Sequence, residues 1–430
     1  MLRRCVIALL LSSLVPLGAA TTAGGSLAPD RGRYIVVLKD SVDPGDVAAR
    51  VTGLGATVQG LFSSVNGLLV SLPVLKLKAL RNDPRVAFVA PDRPVHLLAE
   101  PTPTGVTRIG AVPRLRSDGS LFPGPDPTAA VAVLDTGIYN HPELNVVGGV
   151  DCASDLLGDL LGGGSGFSDR NGHGTHVAGI IGAKADGQGV VGVAPGTPLY
   201  AVRVFSSLGV GSLYDVVCGL DWVAEHAAQL NIKVVNMSLG GSGTDDGACG
   251  AKNNDPLHAA VCRVVAAGVT VVVAAGNDHV DLVESVPAAY DEVMTVAAMA
   301  DFDGLPGGLA QTTCSTKDQD DTAADFSNFA LPGSPDAAHT ITAPGVCIYS
   351  TWNNGGYKSI SGTSMASPHV AGVVTRCIDA GPCAGLTPAQ IIAKLRADAA
   401  VRPAGSGFLG DDATPVPSQY YGDLVDSSRF

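Results

Sequence analysis

Six segments poor in charge and mostly apolar constrain this chain most: 129–134, 199–205, 234–238, 269–275, 293–298 and 339–342, each separated from the next by longer segments, several of helical periodicity. A strand with one wet face alternates apolar and polar residues. These runs do not, so both of their faces must be covered, which is the condition of strands in a parallel sheet with helices packed above and below. The expected fold is therefore α/β, a doubly wound and mostly parallel sheet. Ligand sites in such sheets lie beyond the carboxyl ends of the strands. Asp135 ends the first run, Ser238 the third, and Asn277 follows the fourth, so these three groups can converge at one edge.

Residues 359–369 read S-I-S-G-T-S-M-A-S-P-H, and Ser364 opens a helical run carrying Met365, Ala366, Val370, Ala371, Val373 and Val374. A hydroxyl at a helix N-terminus can be an ordinary cap or a nucleophile assisted by the positive end of the helix dipole. Its company favours the nucleophile. Upstream stand A-V-A-V-L-D-T-G around Asp135 and N-G-H-G-T-H-V-A-G around His173, in the chain order Asp, His, Ser. A zinc site on His173 and His176 would need the acidic residue and spacing of a metalloprotease, which H-G-T-H lacks. His176 and His369 are expected to pack structurally.

With A-A-G-N at 274–277 and N-M-S-L-G-G at 236–241, these motifs make residues 33–400 resemble the subtilases (peptidase family S8), and among them the proteinase K-like secreted serine proteases. The resemblance implies a serine endopeptidase in which Ser364 attacks, His173 is the base, Asp135 orients it and Asn277 helps hold the oxyanion. It implies an extended polypeptide substrate flanked by Gly209, Val210 and Gly211 on one side and Ser238, Leu239 and Gly240 on the other. Ser238, Leu239, Gly240, Ala274, Ala275 and Gly276 would line a primary pocket of small and apolar groups, suited to apolar or aromatic side chains. No cofactor is needed for catalysis. Asp321 is a candidate ligand for structural calcium together with carbonyls near Asp291 and Val293, although D-Q-D-D at 318–321 reads by itself as a solvated acidic loop. Two other readings stay open. An esterase would want a G-x-S-x-G elbow, broken here by Ala366, and an inert binding protein of the same fold would keep the scaffold without the chemistry.

Arg3 and Arg4, an apolar stretch and then Gly18, Ala19 and Ala20 give residues 1–20 the layout of a secretory signal peptide, so the protein is expected outside the cell. Segments 34–38, 68–72 and 86–89 read as strands and 47–51 and 75–80 as helices, a small α+β module of ferredoxin-like pattern. By resemblance it is an inhibitory propeptide of inhibitor I9 type over 21–99, cut at about 96–100, ahead of a catalytic domain over 100–430. Net charge is −13 with no basic cluster. This argues against nucleic acid or an anionic membrane surface as partner, and leaves polypeptide substrates and the chain's own propeptide; a monomer is expected. Export puts eight cysteines in an oxidising compartment. They allow 105 pairings. Proximity favours Cys249 with Cys262 and Cys377 with Cys383, leaving Cys314 with Cys347 and Cys152 with Cys218; no C-x-x-C supports zinc instead.

Overall fold

A computed structural model of the chain describes residues 31–62, 65–91, 102–112, 114–115, 121–122, 127–153, 166–308, 310–312, 314, 317–403 and 405–430. The expected signal peptide and the expected cut at 96–100 lie outside these residues. The chain divides into two compact units, Met1–Leu97 and Leu98–Phe430.

The first unit runs β1 (Arg31–Leu38), α1 (Pro44–Gly53), β2 (Thr57–Phe62), β3 (Gly67–Pro73), α2 (Leu77–Arg81) and β4 (Val86–Pro91). Its strands form an antiparallel sheet in the order β2-β3-β1-β4. Val36, Leu68, Val70 and Leu72 from the sheet meet Val47, Val51 and Leu80 from the helices in a separate small core. Asp43 caps α1 by accepting from the Gly45 N–H at 2.7 Å, and Pro44 suits the first helical turn, whose N–H groups have no intrahelical partner. Strand β2 was not expected. Its residues alternate between exposed and half-buried at the sheet edge, so no apolar run marks it.

The second unit is built on eight strands. They are β5 (Ala130–Asp135), β6 (Val146–Asp151), β7 (Leu199–Arg203), β8 (Ile232–Met237), β9 (Thr270–Ala274), β10 (Met294–Ala300), β11 (Thr322–Ala323) and β12 (Thr340–Pro344). Their order is β11-β10-β9-β8-β5-β7-β6, with β12 also pairing with β10, and every pairing is parallel except β10 with β11. All residues of β5, β9, β10 and β12 are buried, as runs without alternation require. The expectation of a doubly wound, mostly parallel sheet is correct. Edge strand β6 escaped the sequence reading because V-V-G-G-V-D is glycine-rich and only half-buried.

Helices α3 (His173–Gly182) and α6 (Thr363–Asp379) pack on each other, as do α4 (Leu213–His226) and α5 (Pro256–Ala266); α7 (Pro388–Ala400) follows α6. Helix α6 lies across β8, β9, β10 and β12, and burial of Met365, Ala366, Val370, Ala371, Val373 and Val374 fixes which way its first turn faces. Gly372 allows this approach: a Cβ there would stand 2.6 Å from the Val193 side chain. Disulfides join Cys152–Cys218, Cys249–Cys262, Cys314–Cys347 and Cys377–Cys383, with Cα–Cα separations of 5.1 to 6.1 Å. Among the described residues no helix is long and apolar enough to cross a membrane.

Candidate active site

Asp135 is the last residue of β5 and fully buried. A bare carboxylate there would be costly, and it is met on every side. Its Oδ1 accepts from the Thr136 N–H at 2.7 Å, and both oxygens lie at 2.8 and 2.9 Å from His173 Nδ1. His173 is the first residue of α3, entered through Gly172 at φ 114°. Glycine is required at 172: the left-handed backbone disfavours other residues, and a Cβ would meet the Trp352 ring at 2.3 Å. The His173 side chain stays 29% exposed, open to solvent while its acid partner is sealed. Burial alone would push the imidazole down. The Asp135 carboxylate, with Asp169 behind it, outweighs that and holds His173 above its ordinary value.

Asp169, which the sequence reading did not single out, ties this corner together. Its Oδ1 accepts from Thr136 Oγ1 at 2.9 Å and from the N–H groups of Asn171 and Gly172, both at 2.8 Å. Its Oδ2 accepts from the Thr175 N–H at 3.0 Å and from Thr175 Oγ1 at 2.5 Å. One buried acid thus caps the α3 N-terminus and fastens it to the end of β5. The legible signal was an acid shortly before N-G at a helix start.

Ser364 occupies the second position of α6, after Gly362 at φ 152°. Its Oγ donates to the Ser238 carbonyl at 3.3 Å. Asn277 sits alongside: its Oδ1 accepts from the Thr363 N–H at 2.8 Å and from Thr363 Oγ1 at 3.0 Å. With the oxygen anchored on the first turn of α6, the Nδ2 donor end is left for another acceptor. Buried Asn328, also missed by sequence reasoning, holds the loop after Asn277. It accepts from the N–H groups of Asp278 and Val280 at 3.0 and 3.2 Å and donates to the Ala275 carbonyl at 3.0 Å.

A cavity of about 630 Å³ opens onto Ser364 and Asn277. Leu239, Gly240, Ala274, Ala275 and Gly276 line it as expected, but Ser238 does not. The Ser238 side chain is buried and turned toward α6, donating to the Ser364 carbonyl at 2.8 Å and meeting Ser367 Oγ at 2.9 Å. Nor is the lining free of charge: Asp278, Asp281 and Glu284 belong to it. Gly209, Val210 and Gly211 are exposed in the turn before α4 and outside this cavity. The Gly209 N–H and Val210 carbonyl there are bonded to Ser206, at 2.9 Å each.

His176 and His369 are structural, as expected. His176 Nε2 lies 3.0 and 2.9 Å from the carbonyls of Ile348 and Lys358, and burial drives it down to about 3; His369 Nδ1 bonds the Met365 carbonyl, and burial takes it to about 4.

The calcium expectation at Asp321 needs correction, and so does the reading of 318–321 as a solvated loop. Asp320 and Asp321 are buried. Asp321 Oδ1 accepts from Arg108 Nε and Nη2 at 3.0 and 2.7 Å, and Oδ2 accepts from the N–H groups of Gly307 and Gly308. The Arg108 guanidinium thus stands where a cation would sit and supplies the positive charge in its place. Asp321 also pairs beside Ala300, at the far end of β10 from Asp291 and Val293. At about 3.3 Å per residue that puts them about 20 Å apart, so they cannot share an ion.

A serine at the N-terminus of a helix laid across a parallel sheet, lining one cavity with Asn277, together with an imidazole held by a buried carboxylate at the end of a strand of the same sheet, is the residue set of an α/β serine hydrolase. The sequence matches the subtilase family over residues 126–422, and the chain belongs to that family. It is 34% identical over 374 residues to a thermostable alkaline protease of Halalkalibacterium halodurans, covering 86% of this chain and 88% of that one. Subtilisin E of Bacillus subtilis is 33% identical over 371 residues, 85% of each chain. A cold-adapted subtilisin-like serine proteinase of known structure aligns with a TM-score of 0.52 at 31% identity, covering 75% of this chain and 97% of that one. The protein is a subtilisin-type serine endopeptidase.

Proposed function

We propose that Asp135, His173 and Ser364 form the catalytic triad of a secreted endopeptidase made as a self-processing precursor. The observation that carries this reading is the imidazole of His173. Its Nδ1 is held by both oxygens of a fully buried carboxylate, which fixes the tautomer and leaves Nε2 as its free basic atom. Nε2 takes the Ser364 proton as the hydroxyl attacks the scissile carbonyl, and returns it to the leaving amine; Asp135 stabilises the imidazolium between these steps. The tetrahedral oxyanion receives the backbone N–H of Ser364 and the Nδ2 of Asn277. Hydrolysis follows by the same steps with water as nucleophile.

The substrate is an extended polypeptide whose backbone runs between 209–211 and 238–240, as an added strand would. Because Gly209 N–H and Val210 C=O are engaged in their own turn, most of that pairing falls to the 238–240 side. The side chain preceding the cut enters the cavity between 239–240 and 274–276. Apolar residues suit its inner wall. Asp278, Asp281 and Glu284 add affinity for a side chain long enough to bring a cation to the rim, so Lys and Arg are accepted beside apolar residues.

The N-terminal unit is read as an inhibitory propeptide. Its βαββαβ order supports this, and so does the match to the H. halodurans protease, which at 86% of the chain exceeds what Leu98–Phe430 alone supplies. Covalent labelling with a sulfonyl fluoride tests the site: Ser364 becomes modified and peptidase activity is lost in step. Modification elsewhere with full inactivation refutes the assignment.

A further inference from the structure

A second charged site lies on the loop that leads from Gly240 to α5. Asp245, Asp246, Asp255, Asp291 and Glu292 gather here around the His258 ring in the first turn of α5. The ring is fully buried and stacked on Tyr290, with centroids 4.0 Å apart and planes within 3°. Its Nε2 lies 2.9 Å from Glu292 Oε2 and donates to it. Its Nδ1 has no hydrogen-bond partner. That atom faces Asp246 Oδ1 at 3.4 Å and Asp245 Oδ1 at 3.5 Å. A charge-assisted hydrogen bond would draw these atoms to about 2.7–2.9 Å. Two N or O ligands of one tetrahedral zinc, each about 2.0–2.2 Å from the ion, stand about 3.3–3.5 Å apart, which is the spacing seen.

We propose that Asp245, Asp246 and His258 bind one divalent cation of the zinc type through two carboxylate oxygens and the imidazole Nδ1. A ligating imidazole usually gives its other N–H to a carboxylate, the part Glu292 plays here. The carboxylates are pre-set by backbone donors. Asp246 accepts from the N–H groups of Ala248, Gly250, Lys252 and Asn253, and Asp245 from those of Gly247 and Asp291. The Lys252 ammonium bonds the Asp246 carbonyl. An imidazole nitrogen with two carboxylates suits zinc better than calcium, which prefers six or more oxygens. Cys249 and Cys262 stand nearby but are bonded to each other and supply no thiolate. The side chain of Asp245 remains 17% exposed, giving the ion a way in. Bound there, the cation clamps the loop whose start, Gly241 and Ser242, lines the substrate cavity.

The test uses the full chain inactivated with a sulfonyl fluoride, stripped with chelator and titrated with Zn²⁺ by calorimetry. One equivalent should bind, and the melting temperature should rise. His258→Gln should lose that equivalent, and Asp245→Asn should weaken it at least tenfold. Should His258→Gln fail to fold, Co²⁺ added to the unsubstituted protein should give the intense visible absorption of a tetrahedral site, and Asp245→Asn should abolish it. Absence of Zn²⁺ uptake by the unsubstituted chain, equal uptake in a folded His258→Gln, or a Co²⁺ spectrum unaltered by Asp245→Asn overturns the proposal and leaves His258 as a buried structural residue bonded to Glu292.

Discussion

Single side chains carry the sharpest consequences. Anchoring of the Asn277 oxygen on Thr363 leaves one end of the amide to donate, and in the proposed mechanism that end acts on the transition state rather than in substrate binding. Asn277→Ala should lower kcat by about 100- to 1,000-fold with KM little changed, the loss already known for an oxyanion donor in a subtilisin. Steady-state kinetics on a peptide substrate decides this; an unchanged kcat removes the role. His173 must be neutral to act as base, and Asp135 raises its proton affinity. The acid limb of kcat/KM should therefore fall above the ordinary imidazole value of about 6.5, and Asp135→Asn should remove most of the activity. A limb below pH 6 contradicts the electrostatic argument. Asp321 makes the opposite kind of prediction, about stability. Asp321→Ala removes one of the two carboxylates facing the buried Arg108 guanidinium, which keeps Asp301 at 2.7 Å and the carbonyls of Ser406 and Gly407, so the cost should be about 1–3 kcal/mol rather than that of a fully unpaired charge. Calorimetry should find this loss unaltered by chelator, because no ion is displaced.

At the scale of elements, the site is the meeting of two helix N-termini with strand ends, and its precision rests on how those helices are entered. Gly172 admits α3 beneath Trp352, and Asp169 fastens the entrance to β5. Gly172→Ala combines a strained φ with a Cβ 2.3 Å from an indole, so His173 must shift. Small displacements of a base are expensive, and kcat should drop by about 100-fold, well beyond any change in KM. Near-normal kcat in a folded variant would mean that the entrance of α3 does not position the imidazole.

For the whole molecule, burial of neutral imidazoles sets the response to acid. His176, His339 and His369 are driven by burial to about 3, about 4 and about 4, and each returns to its ordinary value on unfolding. Between about pH 6.5 and 4 these three groups bind more protons in the unfolded chain than in the folded one and lower stability as pH falls, a contribution that outnumbers the opposite one of Asp301, which burial pushes up to about 7. The melting temperature of the sulfonyl-fluoride-inactivated enzyme should decline steadily from pH 7 to pH 4; a flat profile refutes the linkage. The proposed maturation also concerns the entire chain. If its own active site releases the N-terminal unit, Ser364→Ala accumulates as a folded precursor still carrying 21–99, while the unsubstituted chain begins near residues 97–101. N-terminal sequencing from a host lacking other proteases decides, and a Ser364→Ala chain starting near 101 assigns the cut to another enzyme.

The sequence by itself determined the parallel sheet and the residues worth placing at its edge. Runs such as 269–275 announce burial on both faces wherever they lie, and H-G-T-H and G-T-S-M-A-S-P-H keep their chemistry within a few consecutive residues. Strands β2 and β6 left no such mark, since an edge strand is stabilised by the partner it pairs with. Asp169 and Asn328 became visible only once separate segments were brought within hydrogen-bonding distance. The same holds for Asp321, whose acidic neighbourhood suggests solvent or calcium until folding delivers Arg108 from 213 positions away. Ser238 was correctly placed at a strand end, but its direction was decided by α6. Local pattern fixes which backbone can be buried, whereas the partner of a buried charge depends on long-range packing, and only the tertiary structure supplies that.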